Sequence, residues 1–212
     1  MSEHRNGGWS SMYSEEWTGS FLSSRVRDIR PSGIRAFFDL NAAGGDTIAL
    51  GVGEPDFVTP EKVREACIQA LRDGRTKYTS NAGMLELREE LSAYLSSSFA
   101  LSYEPEHEII VTVGSSEAVD LALRTVIDPG DEVLIPSPSY IAYEPISHLH
   151  GGTIVEVAAT VEEQFKLTPQ ALEAVITPRS KVLMLNYPCN PTGTVMTEQD
   201  WLPIVELVIR HN

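Results

Sequence analysis

The chain has 212 residues, 42% hydrophobic and 22% charged, which is enough for one sizeable core and too apolar for a disordered chain. The formal net charge is -14; residues 1–35 carry five basic and four acidic groups, and the rest carries 11 basic and 26 acidic groups, so long-range repulsion argues against nucleic acid or an anionic membrane as partner. Cys67 and Cys189 lack any metal-ligand spacing, the N-terminus is polar, and no apolar run has membrane length. The expectation is a soluble, cytoplasmic protein with reduced thiols and no metal.

Residues 1–20 mix Gly, Ser and Trp without periodicity and read as a mobile arm. A short amphipathic segment over 31–40, a turn over 41–46 and a strand over 48–52 follow. Thr59-Pro60 opens a helix, with Thr59 as the cap and Pro60 at the first helical position. Val63, Ala66, Cys67, Ala70 and Leu71 form its apolar face, and Gly74 ends it. A second helix starts near Gly83, with Leu87, Leu91, Tyr94 and Leu95 on one face. From there strands and helices alternate. Strands are expected over 109–113, 133–135, 153–157 and 182–185, and helices over 115–126, 140–149, 169–176 and 198–210. The pattern predicts an α/β fold built on a mostly parallel sheet with helices on both faces.

In an open parallel sheet, ligands collect beyond the C-terminal ends of the strands. Three strands here lead into loops of unusual composition. Gly114-Ser115-Ser116 enters a helix, where free N–H groups, the helix dipole and two hydroxyls suit a phosphate; read alone, it is more simply a serine-capped helix start. Tyr140 follows Pro136-Ser137-Pro138-Ser139, a stiff approach that could present an aromatic face to a flat ligand; alone, it reads more simply as a core tyrosine. Asn190-Pro191-Thr192-Gly193 is either a tight turn or a fixed amide donor.

Taken in order, these pieces resemble the class I/II aminotransferases of fold type I. The matching segments are Gly51-Val52-Gly53-Glu54-Pro55-Asp56-Phe57, Lys77-Tyr78-Thr79, Gly83 with its helix, Val113-Gly114-Ser115-Ser116-Glu117-Ala118, Asp128-Pro129-Gly130-Asp131-Glu132-Val133, Pro136-Ser137-Pro138-Ser139-Tyr140 and Asn186-Tyr187-Pro188-Cys189-Asn190-Pro191-Thr192-Gly193. The resemblance runs from about residue 30 onward. It implies pyridoxal 5'-phosphate as cofactor, an amino acid and a 2-oxo acid as substrates, and a homodimer in the full-length form. It implies residues 1–58 as the arm and a small-domain segment, and 59–212 as the first part of the large cofactor-binding domain. It also implies roles. Ser115 and Ser116 hold the phosphate, Tyr78 reaches the phosphate of the partner subunit, and Tyr140 stacks on the ring. Asn190 bonds the ring's phenolic oxygen. Gly53, with Tyr140 and Asn190, lies at the substrate.

The resemblance also implies groups that this chain lacks. The family's ring-pairing aspartate, Schiff-base lysine and carboxylate-binding arginine all follow the Asn-Pro-Thr-Gly loop and fall beyond Asn212. Lys62, Lys77, Lys166 and Lys181 are the only lysines, and none has the family's serine context. The expectation is therefore the front half of an enzyme, with no catalytic residue of its own and no transamination by itself. Two alternatives stand beside it: a non-catalytic remnant that binds the cofactor weakly or dimerises, and a lyase of the same fold type.

Overall fold

A computed structural model describes residues 21–29, 53 and 55–211. The expected arm over 1–20, the segments over 31–46 and the strand over 48–52 lie outside the described residues. The chain divides into two compact units, Met1–Ser32 with Val119–Asn212, and Gly33–Ala118.

In the Gly33–Ala118 unit, helix α2 (Glu61–Arg72) follows the short α1 (Ser24–Arg27) of the other unit. Pro60, rather than Thr59, takes the capping position of α2, and no side chain caps it. Gly74 closes the helix as expected. Its φ of 70° lets the Gly74 N–H reach the Leu71 carbonyl at 3.0 Å and the Arg75 N–H reach Ala70 at 3.0 Å, the paired bonds of a left-handed glycine stop. The apolar face of α2 stays exposed, with Val63 at 57% and Leu71 at 62%. Helix α3 (Leu85–Phe99) is anchored by the buried Arg88, which donates to the carbonyls of Gly83, Pro105 and Glu106. It ends at Ala100 in the left-handed region, φ 55°.

The expected strand over 109–113 does not form. Its Val111 N–H reaches the Ala82 carbonyl at 2.9 Å and its Val113 N–H the Glu117 carboxylate, but the run joins no ladder among the described residues. An apolar run is a strand only when another backbone satisfies its polar groups, and here Ile110 and Val113 are exposed.

The other unit holds a three-stranded, all-parallel sheet in the order β2-β1-β3, formed by β1 (Glu132–Ser137), β2 (Thr153–Ala158) and β3 (Ser180–Leu183). The last strand begins and ends two residues before the expected 182–185. Helices cover both faces, as predicted. Helix α4 (Ser115–Val126), whose Val119–Val126 part belongs to this unit, and α5 (Tyr143–Leu149) pack Leu123, Ile127, Tyr143 and Ile146 against Val133 and Ile135. Helices α6 (Pro169–Glu173) and α7 (Glu198–Arg210) pack Leu172, Ile204 and Leu207 against Leu134 and Val157 on the opposite side. Alternate residues of β1 thus enter alternate cores, the period-two rule of a strand buried on both faces.

The N-terminal ends of β1 and β3 are tied by one carboxylate. Glu132, 3% exposed, accepts from Thr177 Oγ1 at 2.5 Å, Ser180 Oγ at 3.0 Å and the Arg179 guanidinium at 2.8 and 3.1 Å. The Thr177 bond, followed by those from Arg179 and Ser180, holds its pKa below the ordinary glutamate value against the opposing effect of burial. Beside this clamp the register shifts: Glu132 faces Ser180 but Val133 faces Val182, leaving Lys181 without an opposite residue. Lys181 turns to Asp131 at 2.8 Å. Helix α5 starts at Tyr143 rather than 140, and α6 stops at Glu173 rather than 176.

Candidate functional site

The C-terminal ends of β1 and β3 are neighbours in the sheet, and each releases a proline-containing loop. β1 runs into Ser137, a cis bond to Pro138, then Ser139 and Tyr140. β3 runs through Asn186 and Tyr187 into cis Pro188, Cys189 and Asn190, followed by cis Pro191. Cys189 joins the two loops, its thiol lying 3.7 Å from the Pro138 carbonyl oxygen. The turn after it is closed by Gly193 N–H to the Cys189 carbonyl at 2.7 Å and Cys189 N–H to the Thr194 carbonyl at 2.8 Å. Thr194 Oγ1 donates in turn to the Gln164 carbonyl at 2.9 Å, which fastens the turn to the connection after β2.

Tyr140 is half-buried on its loop, and Asn190 is exposed at the tip of its turn. Their rings and amides have different neighbours. The ring of Tyr140 meets that of Tyr143 edge to face, centroids 5.5 Å apart at 79°, while the Tyr143 N–H donates to the Tyr140 carbonyl at 3.2 Å. Tyr187 meets Trp201 in the same way at 5.4 Å and its hydroxyl accepts from Leu167 N–H at 3.1 Å. Between the two loops lies a small crevice lined by Pro138, Ser139, Tyr143, Asn186, Tyr187 and Cys189. Burial pushes the Tyr143 phenol up, with Tyr140 and Cys189 adding to the effect; burial likewise raises Tyr187, against the pull of the Leu167 bond. Both phenols are therefore neutral at physiological pH.

The remaining expected residues lie in the Gly33–Ala118 unit. Gly114, with φ 86°, turns the chain into α4, and a Cβ placed there would meet nothing within 4 Å. Ser115 and Ser116 occupy the first helical positions and are exposed. The Glu117 carboxylate reaches back to accept the Val113 N–H, and Thr112 Oγ1 donates to the Gly114 carbonyl at 2.8 Å, so the turn is braced from both sides. Tyr78 is fully exposed. Gly53 is exposed too, with no atom within 4 Å of an added Cβ.

Two of the expected residues, Tyr140 and Asn190, therefore share one sheet edge in one unit, and four, Gly53, Tyr78, Ser115 and Ser116, belong to the other. Within the Gly33–Ala118 unit, the hydroxyls and N–H groups at the open Gly114 turn are donors of the kind a phosphate takes; within the other unit, Tyr140 offers an aromatic ring and Asn190 an exposed amide. Sequence reasoning missed Tyr143, Tyr187 and Cys189. Tyr143 carried a readable signal, three residues after Tyr140 and so on the same face of a helical turn. The two lysines of the strand-bearing unit are already engaged. Lys166 Nζ pairs with Asp200 at 2.8 Å and Lys181 Nζ with Asp131 at 2.8 Å.

Residues 45–212 match the family described as aminotransferase class I and II. A Bacillus subtilis protein, YugH, assigned as an aminotransferase, is 49% identical over 193 residues, 91% of this chain and 50% of its own. The aspartate aminotransferase of Pyrococcus abyssi is 39% identical over 191 residues, 90% of this chain and 49% of its own. Among solved structures, the aspartate aminotransferase of Thermus thermophilus with maleate superposes with a TM-score of 0.84 at 40% identity, covering 90% of this chain and 51% of that one. The chain spans about half the length of the curated relatives it matches. By matched extent, identity and fold together, it belongs to the class I and II aminotransferase family.

Proposed function

We propose that this chain supplies the phosphate-, ring- and oxygen-binding groups of a pyridoxal 5'-phosphate-dependent enzyme that, in full-length form, exchanges an amino group between an L-amino acid and a 2-oxo acid. The family uses this cofactor. The observation that carries the reading is the position of Tyr140 and Asn190, on loops leaving the C-terminal ends of adjacent parallel strands, the edge where such sheets gather ligands. When bound, the cofactor supplies an electron sink for charge developing on the substrate.

The chain's own residues would do the rest. Ser115 and Ser116 offer hydroxyl and N–H donors to the phosphate, with the dipole of α4 adding a favourable field. Tyr140 covers one face of the ring and keeps water from it. The Asn190 amide donates to the phenolic oxygen. Gly53 lets the substrate carboxylate approach backbone, and Tyr78 extends to the phosphate of a partner subunit in a homodimer. In this reading residues 1–58 serve as arm and small-domain segment and 59–212 as the start of the large domain. Lys62, Lys77, Lys166 and Lys181 all lack the family's serine context, and Lys166 and Lys181 are paired with carboxylates, so none is assigned the Schiff-base role.

The test is to titrate the chain with pyridoxal 5'-phosphate, reduce with borohydride and map adducts by mass spectrometry. Reversible binding weakened by Ser115→Ala, Ser116→Ala and Asn190→Ala, with no stoichiometric adduct at any one lysine, is expected. A stoichiometric adduct at a single lysine overturns the assignment of the lysine elsewhere. Binding indifferent to all three substitutions overturns the proposed contacts.

A further inference from the structure

We propose that Tyr143 is a positioning residue for the cofactor ring, acting through Tyr140; the inference rests on the reading above, in which Tyr140 faces that ring. Tyr140 sits on a loop, and a loop side chain is a poor platform unless something fixes its plane. Tyr143 is placed to do so. It begins helix α5, its ring packs against the core formed by Leu123, Ile127, Val133 and Ile135, and it therefore moves with the sheet. Its ring then meets Tyr140 at 5.5 Å and 79°, the edge-to-face arrangement that ring quadrupoles favour over a parallel stack. The bond from Tyr143 N–H to the Tyr140 carbonyl fixes the backbone of the same two residues. One aromatic is thus fastened to the core and holds the plane of the other.

The phenol hydroxyl of Tyr143 is not required for this. The ring is the operative part, so Tyr143→Phe keeps the contact and Tyr143→Leu removes it while still filling the core. The edge contact is of the size that shifts a binding constant by about two- to tenfold.

The experiment measures the affinity of the 212-residue chain for pyridoxal 5'-phosphate in five proteins: unmodified, Tyr143→Phe, Tyr143→Leu, Tyr140→Leu and the Tyr140→Leu/Tyr143→Leu double variant. Induced circular dichroism of the bound ring serves as a second readout, and thermal denaturation checks folding. Tyr143→Leu is expected to weaken binding and to diminish the induced signal, with Tyr143→Phe behaving as the unmodified chain. In the Tyr140→Leu background, Tyr143→Leu is expected to change nothing further, because the route through Tyr140 has gone. Equal losses from Tyr143→Leu with and without Tyr140 overturn the inference, since they make Tyr143 a general support of the fold. Tyr140→Leu that weakens binding while Tyr143→Leu does not also overturns it and leaves the parent reading intact. Tyr140→Leu without effect removes the parent reading instead.

Discussion

Replacing Glu132 by alanine tests how the two strands that carry the site are held in register. The carboxylate is buried and accepts four bonds from Thr177, Arg179 and Ser180, and the Glu132 backbone N–H donates to the Arg179 carbonyl at 2.8 Å. The Arg179 side chain is 71% exposed, so its charge is screened and the two hydroxyl bonds carry the larger share. Removing the acceptor breaks all four bonds and leaves a cavity at a buried position; the exposed Thr177 hydroxyl can turn to water and the half-buried Ser180 hydroxyl less readily, for a cost of about 2–4 kcal/mol. With a urea slope of about 2 kcal/mol per molar, the unfolding midpoint should fall by roughly 1–2 M. Glu132→Gln, which keeps one acceptor but aims an amide at Arg179, should fall about half as far. The pH dependence has a definite sign. The folded pKa lies below the ordinary value of 4.5, so the contribution is complete above that value and drains as pH falls through the lowered one. The difference between the unmodified and alanine chains should therefore shrink below pH 4.5. A midpoint shift under about 0.3 M at unchanged slope, or a difference that grows on acidification, refutes the clamp.

Three further outcomes are expected. Ala100 holds φ 55° at the end of α3, so Ala100→Gly should raise stability by about 0.5–1 kcal/mol, read as a higher melting temperature. Gly83→Ala should do the reverse, because its Cβ would lie 2.7 Å from Val111 Cβ on a backbone of φ 96°; a loss of about 1–3 kcal/mol is expected by urea denaturation. The Lys166 bond, with Thr197 bonds adding to it, lowers the Asp200 pKa to about 2. An NMR titration should find its midpoint near there, with Lys166→Met moving it toward 3.8. The stability linked to this depressed pKa is full above 3.8 and lost as pH falls toward 2.

Local signals in the sequence were read well. The bounds of α4 and α7 match the expectation, because Gly114-Ser115 and Thr197 mark their starts and apolar spacing continues to their ends. The family was legible for a related reason: its loops combine Pro, Ser, Asn and Gly in patterns that few turns need. What depends on partners distant in sequence was not legible. The run over 109–113 has the composition of a buried strand, but composition cannot say whether another backbone lies alongside. Nothing local in the sequence marks Glu132 as buried; the groups that close on it, Thr177, Arg179 and Ser180, lie some 45 residues away. Tyr143 and Cys189 gain their places at the site only once β1 and β3 are adjacent.

The unopposed Lys181 has a consequence for parity. In an unbroken ladder Lys181 would sit opposite Val133 and project an ammonium among Leu123, Ile127 and Ile135, while Val182 would turn to the other core. The single slipped residue instead sends the charge outward to Asp131 and puts Val182 and Met184 with one core and Leu183 with the other. Because side chains alternate along a strand, the same slip sets the phase of Val182 and Leu183, the residues that follow on β3. Deleting Lys181 is thus a different kind of change from substituting it. Substitution removes an ion pair at the surface, whereas deletion removes the extra residue itself, leaving Val182 opposite Val133 in a regular ladder, so the strand loses its bulge and keeps its phase.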